Sequence, residues 1–212
     1  MKIPIVADGY RFIIPLAIIT VVLFALALLP LIWLACLSGL LLLFVANFFR
    51  DPERIIPNDE RVVVSPGDGK VVEIVEEKDP MLDEPYRRIS IFLNIFNVHV
   101  QRTPVAGRIE RVQYNEGKFL NAASHKASLD NEQNAMIINT GQEKVMVKQI
   151  AGLIARRIVC WAKEGDNYSL GQRFGLIRFG SRVDLFLPLN AEIKVSLGDH
   201  VAGGSSIIGY LK

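Results

Sequence analysis

Residues 171–188 read Gly171-Gln-Arg-Phe-Gly-Leu-Ile-Arg-Phe-Gly-Ser-Arg-Val-Asp-Leu-Phe-Leu-Pro188, two apolar runs that meet at Gly180-Ser181. In the second run Val183, Leu185 and Leu187 fall on every other position, so an extended chain puts them on one face. The same signature recurs on both sides. Runs at 61–64, 70–75, 89–93, 108–113, 135–139, 144–150, 175–179, 182–187, 192–196 and 206–211 are short, apolar or alternating, and punctuated by Gly and Pro. Ten such runs predict a predominantly β domain over 61–212, a sandwich or a packed pair of sheets. Helix is minor there, with Asn94–Val98 and a weak turn at Lys118–Asp130 as the only candidates.

The chain upstream is of another kind. Of 212 residues carrying 24 Lys+Arg and 22 Asp+Glu, none between Phe12 and Phe49 is charged. As one helix this run would be about 57 Å long, against a hydrocarbon core of about 30 Å. Pro30 divides it, which predicts two helices, about Ile13–Leu29 and Leu31–Phe49. Lys2 and Arg11 precede the run, and Arg50 and Arg54 follow it. Positive charge at both ends favours a membrane hairpin or a re-entrant anchor over a single span, with both termini cytoplasmic. The run is far too long for the apolar core of a cleaved signal peptide. It holds no ionisable residue, so it is expected to anchor and to do no transport. The division that follows is an anchor over 1–50, a Pro-containing polar linker over 51–60, and the β domain.

Several function classes are disfavoured. Acidic and basic residues balance beyond Arg50, which gives the β domain no electrostatic footprint for nucleic acid. Cys36 and Cys160 form no disulfide framework, and a reducing compartment fits them. His99, His125 and His200 have no metal-ligand spacing, and no zinc, nucleotide-binding or serine-hydrolase fingerprint occurs, so no metal is expected.

Three segments remain. They are Gly180-Ser181 between Arg178 and Arg182, Ser65-Pro-Gly-Asp-Gly69, and His99-Val-Gln-Arg-Thr-Pro-Val-Ala-Gly107. Each has a plain reading. Asp68 suits an Asx-turn, His99 follows an apolar run like a packed structural histidine, and the two arginines suit solvated strand positions. Taken in order, behind an apolar anchor, the three segments resemble the phosphatidylserine decarboxylases, pyruvoyl-dependent enzymes, and most closely their short prokaryotic branch.

That resemblance implies a self-cleaving proenzyme. The Ser181 hydroxyl attacks the Gly180 carbonyl and converts the peptide bond to an ester. Elimination leaves dehydroalanine, which tautomerises and hydrolyses to a pyruvoyl group with loss of ammonia. Glycine at 180 permits the strained backbone such an attack needs. The resemblance implies that Asp68 and His99 supply the catalytic base arrangement. It further implies a Schiff base between the pyruvoyl ketone and phosphatidylserine, which draws in electrons as carbon dioxide leaves and yields phosphatidylethanolamine. Arg178 and Arg182 are candidates for the lipid phosphate. The fragments 1–180 and 181–212 should stay together as a heterodimer on the cytoplasmic side of the cell membrane.

The sequence departs from the family pattern twice. Larger bacterial relatives carry two histidines three apart, and the second position here is Arg102. Gly-Ser is usually followed by Thr or Ser, where this chain has Arg182. An arginine stays protonated and cannot act as a general base. Either His99 takes over that role or the base lies elsewhere. Two other classes fit the residues: a non-catalytic β module on a membrane hairpin, and a pyruvoyl decarboxylase of a soluble amino acid. The turn Gly198-Asp-His-Val-Ala-Gly203, slightly lipoyl-like, supports the first weakly. The anchor argues against the second.

Overall fold

The computed structural model describes residues 5–26, 29–117, 131–152, 157–178 and 181–212. It divides into two compact units, Met1–Glu53 and Arg54–Lys212.

The first unit is a helical hairpin of α1 (Ala7–Leu26) and α2 (Leu29–Phe48). Its open end is closed by backbone and rings. Val6 N–H donates to Phe49 O at 3.0 Å, Ile5 bridges Arg50, and Phe12 stacks on Phe49 with centroids 5.5 Å apart. Gly9 lets the arms approach, because a Cβ there would lie 2.7 Å from that of Phe49. The helices start earlier than the apolar run suggests. Ala7–Arg11 adds a first turn to α1, where Asp8 favours the helix N-terminus and pairs with Arg11 at 2.8 Å. Pro30 does not separate the helices but is the second residue of α2, where a missing N–H breaks no helical bond. Both helices are long and apolar enough to cross a membrane. Trp33, Leu43 and Val21 are more than half exposed, a surface that water would not tolerate but lipid would. The chain is membrane-associated through this hairpin.

The second unit is predominantly β, as its alternation predicts. Its described strands are β1 (Val62–Val64), β2 (Gly69–Glu77), β3 (Tyr86–Leu93), β4 (Val100–Arg102), β5 (Gly107–Asn115), β6 (Gln133–Asn139) and β7 (Lys144–Ala151). There follow β8 (Ile158–Cys160), β9 (Asn167–Tyr168), β10 (Arg173–Ile177), β11 (Ser181–Pro188), β12 (Glu192–Ile193), β13 (His200–Val201) and β14 (Ile207–Tyr210). Eight of them form one sheet in the order β13-β2-β3-β11-β7-β6-β5-β9, and two three-stranded sheets, β1-β14-β12 and β4-β10-β8, complete the unit. Every described pairing is antiparallel.

Strand β11 lies at the centre of the large sheet, paired from its first residue with both β3 and β7. Val183, Leu185 and Leu187 join Ile89, Ile91, Leu93, Val145 and Val147 in the main core. Burying each such side chain contributes about 1.5–3 kcal/mol. The other face departs from the solvated-strand reading. Arg182 and Asp184 are fully buried there, linked side by side with Nε–Oδ1 and Nη2–Oδ2 distances of 2.7 and 2.8 Å. Further along, Leu82 and Tyr86 cover Ala135, Ile137, Met146 and Phe186.

Asn94–Val98 is not helical. Asn97 Oδ1 accepts from the Asn94 N–H at 2.9 Å and Asn94 Oδ1 from the Phe96 N–H at 2.8 Å, so side chains claim the backbone donors and hold a turn. The Lys118–Asp130 candidate lies outside the described residues, as does His125. Strands β4, β8, β9 and β13 were not legible because two or three residues carry no period.

Candidate active site

The first motif is a turn between β1 and β2. Ser65 Oγ donates to Gly67 O at 2.6 Å and shapes it. Gly69 allows the close approach of β3, because a Cβ there would stand 2.3 Å from Phe92 O. Asp68 is held from two directions. Its carboxylate accepts from Arg54 Nη2 at 2.9 and 2.8 Å and from the Gly203 N–H at 2.7 Å. An Asx-turn alone would leave this carboxylate to solvent; here it is fixed in place by a cation and an amide.

The second motif follows the Asn94–Val98 turn. His99 is 1% exposed, and its Nδ1 lies 3.0 Å from Asn97 O. A carbonyl only accepts, so Nδ1 carries a hydrogen, and in the neutral form of the ring Nε2 is the basic nitrogen. Arg102, in place of a second histidine, is buried and donates through Nη1 to Gly171 O at 3.1 Å. It anchors the approach to β10 and does no proton transfer. Thr103 reinforces that anchor, its Oγ1 donating to Ser169 O at 2.6 Å.

Backbone bonds stitch the motifs together. Arg102 N–H donates to Pro66 O, and Val64 N–H to Pro104 O, each at 2.9 Å. Strand β4 of the second motif pairs with β10, which leads toward Gly180. A Cβ on Gly67 would touch the side chains of Leu93 and Val183, the partner of Ser181 and its next neighbour on that face.

Ser181 opens β11, opposite Leu93 on one side and Ala151 on the other. Its side chain is wholly buried, and its Oγ finds no hydrogen-bond partner among the described residues. A buried hydroxyl without a partner costs stability, so its retention asks for a chemical reason. Gly180 lies outside the described residues. Arg178 is 8% exposed and its N–H donates to Arg157 O at 3.3 Å. Among the described residues no group of three or more His, Cys, Asp or Glu is arranged to hold a metal ion. A cleft of about 950 Å³, lined by Arg108, Glu110, Glu164 and Tyr168 among others, includes none of these site residues.

A family model described as phosphatidylserine decarboxylase matches residues 41–209. The chain belongs to the phosphatidylserine decarboxylase family. It is 49% identical over 211 residues to the phosphatidylserine decarboxylase proenzyme of Geotalea uraniireducens (strain Rf4), covering 98% of this chain and 97% of the relative. The proenzymes of Burkholderia vietnamiensis (strain G4 / LMG 22486) and Burkholderia pseudomallei (strain K96243) are 47% and 46% identical, again over at least 96% of each chain.

Membership of the phosphatidylserine decarboxylase family makes the chain a decarboxylase and leaves the scaffold and soluble-amino-acid readings without support. It also puts weight on residues that sequence reasoning passed over. Arg54 reads as linker, and nothing local marks it as the partner of Asp68. Gly203 ends the slightly lipoyl-like turn, and nothing there marks its N–H as one of the three bonds on the Asp68 carboxylate.

Proposed function

We propose that this chain is a proenzyme that cuts itself between Gly180 and Ser181 and then converts phosphatidylserine to phosphatidylethanolamine at the membrane. The observation that carries this reading is the Ser181 hydroxyl, buried and without a partner among the described residues, at the first residue of a strand pinned on both sides, in a member of the decarboxylase family. A hydroxyl withheld from solvent and from competing hydrogen bonds fits the residue that becomes a pyruvoyl group. Once formed, that group supplies the electron sink for loss of carbon dioxide.

The other residues act around it. Asp68, held by Arg54 and Gly203, handles the Ser181 proton during maturation, and His99 moves protons at the same site in self-cleavage or in decarboxylation. Arg178 is a candidate for the lipid phosphate. The fork of Arg182 is already engaged by Asp184. The fragments 1–180 and 181–212 remain together, because β11 is shared between β3 and β7 on both of its edges. The β domain faces the cytoplasm.

Mass spectrometry of the purified protein and of Ser181→Ala tests the reading. The wild-type chain should give fragments of 180 and 32 residues, the smaller with a blocked N-terminus. Ser181→Ala should stay intact, folded and inactive. An intact wild-type chain that still decarboxylates phosphatidylserine would overturn the mechanism, and a fragment beginning at Ser205 would overturn the site.

A further inference from the structure

Among the described residues a second buried polar group without a partner belongs to Gln101 of β4, which meets Gln149 on the sheet that carries Ser181. In the β7–β11 pair Ser181 faces Ala151 and Val183 faces Gln149, so Ser181 and Gln149 project from the same face as diagonal neighbours. Gln149 is the middle of a buried amide chain. Asn134 Nδ2 donates to Gln149 Oε1 at 3.0 Å, and Gln149 Nε2 donates to Gln101 Oε1 at 3.0 Å and to Val159 O at 3.3 Å. Gly175 makes room for it, because a Cβ there would stand 2.8 Å from Gln149 Nε2.

The direction of this chain is fixed by chemistry. Val159 O can only accept, so Gln149 must turn its nitrogen toward it and its oxygen toward Asn134. Gln101 must then offer its oxygen to Gln149, which leaves its Nε2 as the outer end. That nitrogen is buried and has no acceptor among the described residues, and Gln101 as a whole is 0% exposed. Amides are rarely left so.

We infer that Gln101 Nε2 is the donor that receives the carboxylate of the seryl headgroup beside Ser181. This rests on the proposed decarboxylase reading and names a substrate contact within it. The headgroup amine must reach the group formed at Ser181, and its carboxylate sits one carbon away. Gln101 bonds the end of Gln149, whose backbone is the diagonal neighbour of Ser181, which puts the donor on the same side of the sheet. Its neutrality matters. A cation would hold the ionised carboxylate more tightly than the departing carbon dioxide and so oppose the reaction, whereas a neutral amide orients it with little such penalty. The other end of the amide chain is uncharged as well. Burial pushes up the pKa of the Cys160 thiol, which lies beside Asn134 and so stays protonated. The product, phosphatidylethanolamine, has no carboxylate for Gln101, which favours its release.

The test is calorimetric binding to the full chain in detergent, after mass spectrometry has established whether it is cleaved. The probe is glycerophospho-3-hydroxypropionate, which keeps the carboxylate and lacks the amine, so it is not consumed. Glycerophosphoethanolamine is the control. Gln101→Leu, and Gln101→Met as a second packing solution, should bind the carboxylate probe about tenfold more weakly, or 1.4 kcal/mol. Both should bind the control as the wild type does. Unchanged affinity for the carboxylate probe in both variants overturns the proposal, as does an equal loss for both probes. If neither variant yields a folded, cleaved chain, Gln101 is structural and the proposal also fails. A wild-type chain that is never cleaved instead removes the decarboxylase mechanism on which the proposal rests.

Discussion

Arg88 of β3 and Asp184 of β11 lie 3.6 Å apart, both wholly buried, on opposite sides of the proposed scission. Asp184 also holds Arg182, while Arg88 reaches Glu73 and Glu77 at 2.8 Å each. Burial, the largest single effect, lowers the pKa of Arg88, but Asp184, Glu77 and Glu73 together raise it above its ordinary value, so the guanidinium stays charged.

After the proposed scission this ladder of charges would tie the 32-residue fragment to the rest of the chain. Asp184→Ala leaves Arg182 buried without that carboxylate and should destabilise the unit by about 3–5 kcal/mol. Denaturant unfolding on the Ser181→Ala background, where the chain is intact, measures this. In the cleavable protein the same change should let the small fragment dissociate at lower denaturant. An unchanged midpoint would show that β-pairing alone holds the fragments.

Asp68→Asn separates charge from turn geometry. Asparagine keeps an oxygen for the Gly203 N–H but loses the ionic pairing with Arg54. If Asp68 handles a proton, the chain should remain uncut, as followed by gel and intact mass. Normal processing in this variant would return Asp68 to the role of a turn residue.

His99→Ala should slow either self-cleavage or decarboxylation by at least ~10²-fold, the scale for losing a general acid–base group. Measuring both steps assigns the histidine to one. Full processing with near-normal turnover would place the base elsewhere. Arg102 offers no alternative, because its guanidinium is engaged with Gly171 and cannot accept a proton.

Arg178→Ala should raise KM for phosphatidylserine while fragments still form, since one charge-assisted contact contributes about 1.5–3 kcal/mol. Kinetics on mixed micelles of the substrate provide the measurement. An unaltered KM removes Arg178 from the phosphate site.

Topology can be read on intact cells. With cationic residues at both ends of the hairpin, external protease should leave the β domain whole. Its degradation without permeabilisation would invert the orientation.

The sequence by itself determined the hairpin, the β class and the three motifs. These are local signals. An uncharged run of membrane length, a two-residue alternation such as Val183-Leu185-Leu187, and a Gly-rich turn each declare themselves within a few residues. Tertiary structure alone decided the partners. Asp68 meets an arginine 14 residues before it and a backbone amide 135 residues after it, and Gln149 meets a glutamine 48 residues away. Nothing in Arg54, Gly203 or Gln101 marks them locally, because a side chain's partner is set by how strands stack, not by its own neighbours. The same cause hid the burial of Arg182 and Asp184. Alternation told which residues share a face, and only packing told that both faces of β11 are dry.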